Sequence, residues 1–263
     1  MLSDYEVIRR KKARRRRRRC RRLLAVMFFV LVAVTASGCV ALPQLYRTAV
    51  IERLREDGCP EDLVELAERN PEALTFVMDY SEKAGRHEPI SVAEDIAGGG
   101  IPLFLQWDER WGYETYGSNY LALTGCGPTS LAMVCCGLTG DASVNPWSLA
   151  QKAEDEGYYV SGSGTAWSMM TVMASELGLA SSPVMCREEI LAAELAAGRP
   201  VICSMGPGDF TTSGHFIVLT GLDSRGDAIV NDPNSRKNSG RTWPLDKLTA
   251  QMKGAWSFSV SAG

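Results

Sequence analysis

The sequence predicts an α+β fold for the C-terminal part of the chain, and three observations support this prediction. Apolar residues occur at helical spacing from about residue 127 to residue 197. After Gly198 the sequence changes to short runs that are rich in β-branched and aromatic residues. Clusters of Gly, Pro, Asn and Asp separate these runs, as is typical of turns between strands. Helices followed by strands are the order expected of an α+β domain.

The predicted elements follow from these patterns in chain order. Helices are expected over 127–136, 146–156, 166–178, 187–197 and 244–253. Strands are expected in RPVICSM (199–205), HFIVLTGLD (215–223), DAIVND (227–232) and AWSFSVS (255–261). The chain has 263 residues, of which 45% are apolar and 22% charged, a composition typical of a globular protein. This length has room for one domain of about 150 to 170 residues with appendages.

The N-terminal region differs strongly in charge from the rest of the chain. Residues 1–22 contain ten Arg and two Lys against Asp4 and Glu6, a net charge near +10. The remaining residues contain 16 basic and 29 acidic side chains, a net charge near −13. Residues 23–42 carry no charge over 20 positions and would span about 30 Å as a helix. A basic arm before an apolar span predicts a cytoplasmic N-terminus and an extracytoplasmic remainder at the cell membrane.

Three interpretations of the apolar span remain open: an uncleaved single-pass signal anchor, a lipoprotein signal, and a signal peptide that is removed. The sequence TASGC places Cys39 after Ser37 and Gly38, as in a lipobox, although Ala36 stands where a larger aliphatic residue is usual. The arginine run is also a candidate nucleic-acid patch. A topology signal explains its position next to an apolar span more simply, so the membrane rather than nucleic acid is the predicted partner.

Residues 43–100 are predicted to be a helical stalk or cap followed by a linker. Apolar positions recur at helical spacing, and two short helices are expected to begin near Pro60 and near Pro71, where acidic residues follow each proline. Chemistry-bearing residues do not stand out here, and His87 is expected to be an exposed linker residue. Three consecutive glycines at 98–100 then mark the start of a predicted catalytic domain over 101–263.

Cysteine spacing argues against a structural zinc site. The eight cysteines include no C-x-x-C pair and have no neighbouring histidine, so no metal or other cofactor is predicted. Two cysteines fall in the N-terminal export segments. If Cys126 is reserved for chemistry, five remain, so at least one is expected to be unpaired. Cys135, Cys136 and Cys203 lie in apolar runs and are expected to be buried as small hydrophobic side chains.

The strongest chemical signal is TGCGPTSLAMV (124–134), in which Cys126 precedes Gly127 and Pro128. Proline favours the first turn of a helix, so Cys126 is expected at a helix N-terminus or one residue before it. Unpaired backbone N–H groups and the helix dipole favour a thiolate there. The same N–H groups can bind an oxyanion. Cys126 is therefore the candidate nucleophile, with a buried structural cysteine as the alternative.

A thiolate nucleophile needs a proton acceptor, and after residue 100 the chain contains a single histidine, His215. Asp232 ends the next predicted strand, so adjacent antiparallel strands would bring its carboxylate beside His215. Such a carboxylate fixes the imidazole tautomer and stabilises its protonated form. An ordinary Asp-Pro turn is the alternative for Asp232. Gln106, twenty residues before Cys126, is a candidate donor to the oxyanion, although glutamine is common.

These pieces resemble the C39-like cysteine peptidases of the papain-like superfamily, whose best known members remove double-glycine leaders from bacteriocin precursors. The resemblance covers about 101–260 and depends on the motifs GCGPTS, GHFIVLTG and VNDPNS. It implies a helical half that carries Cys126 and an antiparallel β half that carries His215 and Asp232, with Gln106 in the oxyanion hole. Gly125, Gly214 and Trp167 are the predicted substrate contacts; Trp167 lies in SGSGTAWSMM (161–170), a segment that stand-alone relatives carry near the cleft.

The resemblance implies a thiol hydrolase that cleaves peptides or proteins. Double-glycine specificity is not carried over, because this chain lacks the ABC exporter motif G-x-x-x-x-G-K-[ST]. Two other functions remain open: acyl transfer or cell-wall amide hydrolysis through the same triad, and a non-catalytic peptide-binding module. Wall hydrolases of the NlpC type commonly use a second histidine, which does not occur after His215. The substrate and the oligomeric state stay open.

Overall fold

The computed structural model describes residues 44–86 and 88–261. The described residues fall into two compact units, which divide between Gly58 and Cys59. In the first unit, residues 44–56 form helix α1. The predicted basic arm (1–22), the predicted apolar span (23–42) and His87 lie outside the described residues. Within 44–86 and 88–261, the structure contains no helix of the length and apolar character that crossing a membrane requires.

The second unit contains short helices and β-strands. Its α-helices are α2 (Glu61–Arg69), α3 (Leu74–Met78), α4 (Tyr80–Lys83), α5 (Ala93–Ile96), α6 (Leu121–Thr124), α7 (Cys126–Thr139), α8 (Pro146–Asp155), α9 (Val172–Glu176), α10 (Glu188–Ala196), α11 (Arg236–Ser239) and α12 (Leu245–Thr249). Two 3₁₀ turns span Pro71–Ala73 and Trp167–Met170. The strands are β1 (Thr115–Tyr116), β2 (Asn119–Tyr120), β3 (Tyr159–Val160), β4 (Gly164–Thr165), β5 (Leu179–Val184), β6 (Val201–Met205), β7 (His215–Leu222), β8 (Ala228–Asn231), β9 (Thr242–Trp243) and β10 (Met252–Val260).

A six-stranded antiparallel sheet, in the order β5-β10-β6-β7-β8-β9, organises this unit. Side chains alternate between its faces. Phe216 and Val218 of β7 belong to a core that includes α7, whereas Ile217 and Leu219 belong to a second core that includes α10 and α12. Burial on both faces explains why the strand segment HFIVL is apolar after its first residue. The predicted α+β fold, with Cys126 on a helix and His215 on an antiparallel sheet, is confirmed.

Several predicted elements differ in detail from the structure. The helix expected over 166–178 is a 3₁₀ turn followed by the five-residue α9. The helix expected over 244–253 ends at Thr249, because β10 begins at Met252 and pairs with β6. Strand β5 was not predicted from its sequence LASSPV, which contains Pro183. Proline is tolerated there because β5 is an edge strand, and its pairing with β10 stabilises it.

The N-terminal helical region packs into the same compact unit as the sheet. Helix α2 begins directly after Pro60, as the sequence predicts, and buries Leu63, Val64, Leu66 and Ala67 on one face. The second predicted helix begins as a 3₁₀ turn at Pro71, which is capped by the side chain of Asn70, and continues as α3. Burial of these apolar side chains therefore anchors α2, the 3₁₀ turn and α3 in the core.

Candidate active site

Cys126 is the first residue of α7, which agrees with the sequence-based expectation of a helix N-terminus. The preceding helix α6 ends at Thr124 and Gly125 is its C-cap, so the backbone turns directly before the thiol. At Gly127 a Cβ atom would lie 2.5 Å from the Thr165 hydroxyl oxygen, so only glycine lets the first turn of α7 approach β4 this closely. Pro128 occupies a position where a missing N–H costs little. The thiol is partly exposed and lines a cavity of about 630 Å³.

His215 and Asp232 form a hydrogen bond of 2.7 Å between the histidine Nε2 and the aspartate Oδ1. His215 is the first residue of β7, and Asp232 directly follows β8, its antiparallel neighbour. Antiparallel pairing therefore brings the two residues together, as the sequence predicts. Both side chains are buried; the aspartate is 1% exposed.

The electrostatic environment favours the charged form of His215. Burial of the ring opposes its charge, but the Asp232 carboxylate and the nearby Cys126 sulfur outweigh this effect and raise the pKa of His215 to about 10. Because Nε2 is bonded to Asp232, Nδ1 is the ring nitrogen that can interact with the Cys126 thiol. At neutral pH, His215 is therefore an imidazolium placed to stabilise a thiolate.

The carboxylate of Asp232 is held on both oxygens. Its Oδ1 accepts from the backbone N–H of Asn234 at 2.9 Å in addition to His215, and its Oδ2 accepts from the Asn238 side-chain amide at 2.8 Å. Its backbone N–H donates to the Ser239 hydroxyl at 2.9 Å. These bonds fix the orientation of the carboxylate, and therefore that of the imidazole.

Gln106 lies beside Cys126 in the lining of the same cavity. Its backbone N–H donates to the carbonyl of Pro233 at 2.8 Å, and its side-chain Nε2 donates to the carbonyl of Ala122 at 2.7 Å. An amide nitrogen carries two hydrogens, so this contact uses one of them. Within the described residues its Oε1 is buried without a hydrogen-bond partner. The contact with Ala122 fixes which end of the amide is the donor, because a reversed amide would place two carbonyl oxygens together.

The cavity around Cys126 is lined by more polar residues than apolar ones, although apolar atoms contribute a comparable share of its surface. Within the described part of the chain its lining comprises Asp62, Leu66, Arg69, Asn70, Gln106, Asn119, Ala122, Leu123, Thr124, Cys126, Phe210, Thr211, Thr212, Ser213, Gly214, His215 and Asn234. Helix α2 with the residue after it, and the loop that leads into β7, both contribute to this lining. Of the three predicted substrate contacts, Gly214 belongs to this lining. Gly125 precedes α7, and Trp167 packs edge-on against Trp256 with 47% of its surface exposed.

The other described cysteines differ from Cys126 in accessibility. All six cysteines within the described residues are unpaired thiols. Cys135, Cys136 and Cys203 are buried, as the sequence predicts. Burial raises the pKa of Cys136 to about 12 and that of Cys203 well above its usual range. Burial also raises the pKa of the half-buried Cys59 and Cys186, so these thiols are poor nucleophiles at neutral pH.

Some residues around the site were not predicted from the sequence. Asn238 and Ser235 belong to the polar run NDPNSRKNS, whose turn-forming composition was visible but whose contacts with Asp232 were not. Asn70 and Glu72 come from the region in which no chemistry-bearing residue stood out, yet both contact the loop that follows Asp232. The only local signal was an asparagine before Pro71, which is typical of a helix cap.

Comparisons with known proteins point to one family. The profile of the "Peptidase_C39 like family" matches residues 100–261. A solved structure of the peptidase domain of Streptococcus ComA, described as a bi-functional ABC transporter involved in a quorum sensing pathway, is 20% identical, with a TM-score of 0.40 over 53% of this chain and 93% of that chain. A double glycine motif protease from an AMS/PCAT transporter, solved in complex with the leader peptide, is 19% identical, with a TM-score of 0.38 over 66% of this chain and 100% of that chain.

A search of curated proteins gave no match. The family assignment depends instead on the profile, which spans more than half of the chain and includes Gln106, Cys126, His215 and Asp232. Its limits agree with the 101–260 range over which the motifs resemble C39-like peptidases. The chain therefore belongs to the C39-like peptidase family, in which the sequence motifs had placed it.

Proposed function

We propose that this protein is a membrane-tethered, extracytoplasmic cysteine peptidase that hydrolyses peptide bonds through Cys126, His215 and Asp232. The observation that carries the proposal is the 2.7 Å hydrogen bond between His215 and the buried Asp232, together with a partly exposed Cys126 that lines the same cavity as His215. A buried carboxylate, an imidazole and a thiol in this order are the groups that acyl transfer through a thioester requires.

The first half of the reaction forms an acyl-enzyme. The Cys126 thiolate attacks the carbonyl carbon of the substrate, a C–S bond forms, and the carbonyl oxygen becomes an oxyanion. His215, which is protonated at neutral pH, then gives its Nδ1 proton to the amide nitrogen. The C–N bond breaks, the amine product leaves, and a thioester to Cys126 remains.

The second half of the reaction regenerates the enzyme. The neutral imidazole of His215 takes a proton from a water molecule as the water oxygen attacks the thioester carbonyl. When this intermediate collapses, the C–S bond breaks and the acid product leaves. The enzyme returns to a thiolate and an imidazolium, so atoms and charges balance over the cycle.

Two donors are assigned to the oxyanion. The first is the backbone N–H of Cys126, at the start of α7, where the helix dipole also favours negative charge. The second is the remaining hydrogen of the Gln106 Nε2, whose other hydrogen is engaged by Ala122. Because this bond and the backbone contact with Pro233 fix Gln106, the donor needs little reorganisation when charge develops.

The cavity suits a peptide substrate. Its volume of about 630 Å³ lies within the usual range for ligand sites. Side-chain amides and hydroxyls in its walls, including Asn119, Thr211 and Ser213, match the N–H and C=O groups of an extended peptide backbone. Leu66 and Phe210 supply apolar contact area for substrate side chains.

The membrane location is part of the proposal and depends on residues 1–42. The basic arm and the uncharged span that follows it are typical of a segment that holds its N-terminus in the cytoplasm. The domain that contains Cys126 would then face the extracytoplasmic side, where peptides and exported proteins are the available substrates.

A comparison of the full-length protein with Cys126→Ala tests the catalytic assignment. We expect wild-type protein in a reducing buffer to create new N-termini in a peptide library, and we expect Cys126→Ala to lose this activity by roughly a thousandfold or more. In H₂¹⁸O, hydrolysis places ¹⁸O in the new carboxyl group, whereas transfer to an added amine gives an amide. Muropeptides in the same assay test for cell-wall amidase activity.

Thiol labelling supplies a second readout and a matched control. We expect iodoacetamide at pH 7 to alkylate Cys126 faster than Cys59 or Cys186, measured peptide by peptide in a mass spectrometer. The control variant Cys186→Ser should keep wild-type hydrolysis, because this half-buried thiol is separate from the cavity. Undiminished cleavage by Cys126→Ala would exclude the mechanism. A Cys126 that reacts no faster than Cys186 would favour a binding module instead.

A further inference from the structure

The loop that carries Asp232 is held from outside the part of the chain that the family profile matches. Residues 100–261 match the family, whereas Asn70 lies thirty residues before this range. The Asn70 side-chain amide donates to the backbone carbonyl of Asn234 at 2.8 Å and to its side-chain oxygen at 3.1 Å. Asn234 in turn donates its backbone N–H to the Asp232 carboxylate. Asn70 is thus linked to the carboxylate of Asp232 through one intermediate residue, Asn234.

Glu72 makes a second set of contacts with the same loop. Its Oε1 accepts from the Ser235 hydroxyl at 2.6 Å, and its Oε2 accepts from the backbone N–H of Lys237 at 3.2 Å. Ser235 is the N-cap of α11, and its hydroxyl accepts from the backbone N–H of Asn238 at 3.1 Å. Glu72 therefore holds the first turn of α11 from outside.

Helix α11 transmits this restraint to the triad. It contains Asn238, whose side-chain amide donates to Asp232 Oδ2 at 2.8 Å. The connection therefore runs from Glu72 through Ser235 and Asn238 to Asp232, and from there to His215. Each link is a hydrogen bond of 3.1 Å or shorter.

The two N-terminal residues are themselves held firmly. The Asn70 side-chain oxygen accepts from the backbone N–H of Glu72 at 3.0 Å, which fixes one residue relative to the other. Asn70 directly follows α2, whose buried face anchors it in the core. A rigid support of this kind can hold a loop in one arrangement, which a solvent-exposed side chain on a mobile segment cannot do.

We propose that Asn70 and Glu72, together called the N-terminal clamp, are positioning residues that hold the Asp232 loop so that its carboxylate stays aligned on His215. This inference rests on the proposed function and extends it, because it makes residues before the family-matched range part of the working site. Neither residue touches the reacting atoms through the contacts described; they act through Asp232.

The clamp has a defined chemical consequence. Without Glu72, α11 loses the hydrogen bonds that Glu72 makes with Ser235 and Lys237. Although Trp243 still donates to the Asn238 carbonyl, Asn238 then holds the second oxygen of Asp232 less firmly. A carboxylate that can rotate stabilises the imidazolium of His215 less, so His215 supports the Cys126 sulfur less well as a nucleophile. Glu72 does not line the cavity, so substrate binding should change little. The expected signature is a lower kcat with an almost unchanged KM.

The test uses the full-length protein with Glu72→Ala, Glu72→Gln and the control Glu82→Ala. Glu82 is exposed on α4 and pairs with Arg86, away from the Asp232 loop. We expect Glu72→Ala to lower both kcat and the alkylation rate of Cys126 at pH 7 by roughly tenfold, since a hydrogen-bonded charge is lost. Glu72→Gln keeps an acceptor oxygen for Ser235 and should recover part of the loss, while Glu82→Ala should behave as wild type.

A double-mutant cycle with Asp232→Asn separates positioning from general stability. If Glu72 acts through Asp232, adding Glu72→Ala to Asp232→Asn should cause little further loss of Cys126 alkylation. Equal losses in both backgrounds would overturn the inference, as would wild-type behaviour of Glu72→Ala. If Glu72→Ala does not fold, the same cycle is run with Glu72→Gln. A loss that occurs with the native aspartate and disappears in the Asp232→Asn background then supports the clamp, and any other pattern overturns it.

The alkylation readout keeps the two proposals apart. If the wild-type protein cleaves no peptide, the proposed function fails, but the rate of Cys126 alkylation still reports how well His215 and Asp232 support a thiolate. If the protein cleaves peptides and Glu72→Ala alters neither kcat nor alkylation, the clamp fails while the peptidase assignment stands.

Discussion

His215 has different partners for its two ring nitrogens, and these partners determine which nitrogen faces Cys126. Nε2 is bonded to a carboxylate that is held on both oxygens, so the ring has little freedom to rotate. Nδ1 is left for Cys126 and, in the proposed reaction, for the leaving nitrogen and the water. A histidine that was bonded to Asp232 through Nδ1 would instead present Nε2, and the ring would have to sit differently against α7.

The raised pKa of His215 predicts a pH dependence of stability. Its pKa is about 10 in the folded protein, against about 6.5 in an unfolded chain. The folded state therefore gains from the charged ring; this gain is complete below about pH 6.5 and is lost as the pH rises towards 10. We expect the free energy of unfolding, measured by urea denaturation, to fall across this window in wild-type protein and to fall less steeply in Asp232→Asn.

Asp155→Asn is the control for that experiment, because it removes an exposed carboxylate from the last turn of α8. Its slope with pH should match that of the wild type. Equal slopes for wild type and Asp232→Asn would mean that the carboxylate does not stabilise the imidazolium, which would contradict the geometry of the pair.

Helix α7 brings Cys126 to the cavity because its first turn packs tightly on β4. The position of Gly127 is the clearest case, since an added Cβ would lie 2.5 Å from the hydroxyl oxygen and 2.7 Å from the Cβ of Thr165. Thr165 is itself buried and shares a hydrogen bond with the Tyr116 hydroxyl at 3.0 Å, so it has little room to move. The helix start and the thiol on it depend on this contact.

Gly127→Ala should therefore displace the first turn of α7. We expect a loss of about 1–3 kcal/mol in unfolding free energy from overpacking and a slower alkylation of Cys126 at pH 7. Thermal unfolding and peptide-level labelling measure the two effects. The matched control is Gly98→Ala, where an added Cβ meets nothing within 4 Å. Unchanged stability and labelling in Gly127→Ala would show that α7 does not need this close approach.

Prediction from sequence succeeded best for elements with a strong local pattern. Strands β6, β7, β8 and β10 and the helices that begin at Cys126, Pro146 and Glu188 were predicted to within a few residues, because β-branched runs, prolines and acidic first turns mark them. Strand β5 was missed because Ser181, Ser182 and Pro183 are poor strand formers. Its hydrogen bonds to β10 stabilise it, and such pairing leaves no local signal.

At the scale of the whole molecule, residues 1–42 are proposed to attach the protein to the membrane. We expect the full-length protein to stay with membranes after an alkaline carbonate wash and to be accessible to protease from the extracytoplasmic side. Removal of residues 1–42 should release it. If the span is an uncleaved signal anchor, Cys39→Ala should leave membrane association unchanged; if Cys39 carries a lipid, that variant should lose lipid labelling and remain unprocessed. Release of the full-length protein by carbonate would contradict a tether of either kind.

The proposed triad could be chosen from the sequence because few residues can serve in it. After residue 100 the chain has one histidine, and Cys126 stands before a proline that marks a helix start. Asp232 follows a strand that was expected to be adjacent to that of His215. Residue type, chain order and strand adjacency were therefore enough to choose these three, although not to show that the aspartate is buried or which histidine nitrogen it binds.

The contacts that hold the triad in place depend on the folded chain as a whole. Asn70 meets Asn234 across 164 positions, and Glu72 meets Ser235 across 163. Periodicity in a sequence reports which face of a helix or strand is buried, because that face repeats every 3.6 or 2 residues. The partner of a polar side chain has no such repeat; it is decided by which surfaces come together when the apolar faces of α2 and the sheet are buried. Local chemistry therefore identified the proposed reacting groups, and long-range packing decided how they are supported.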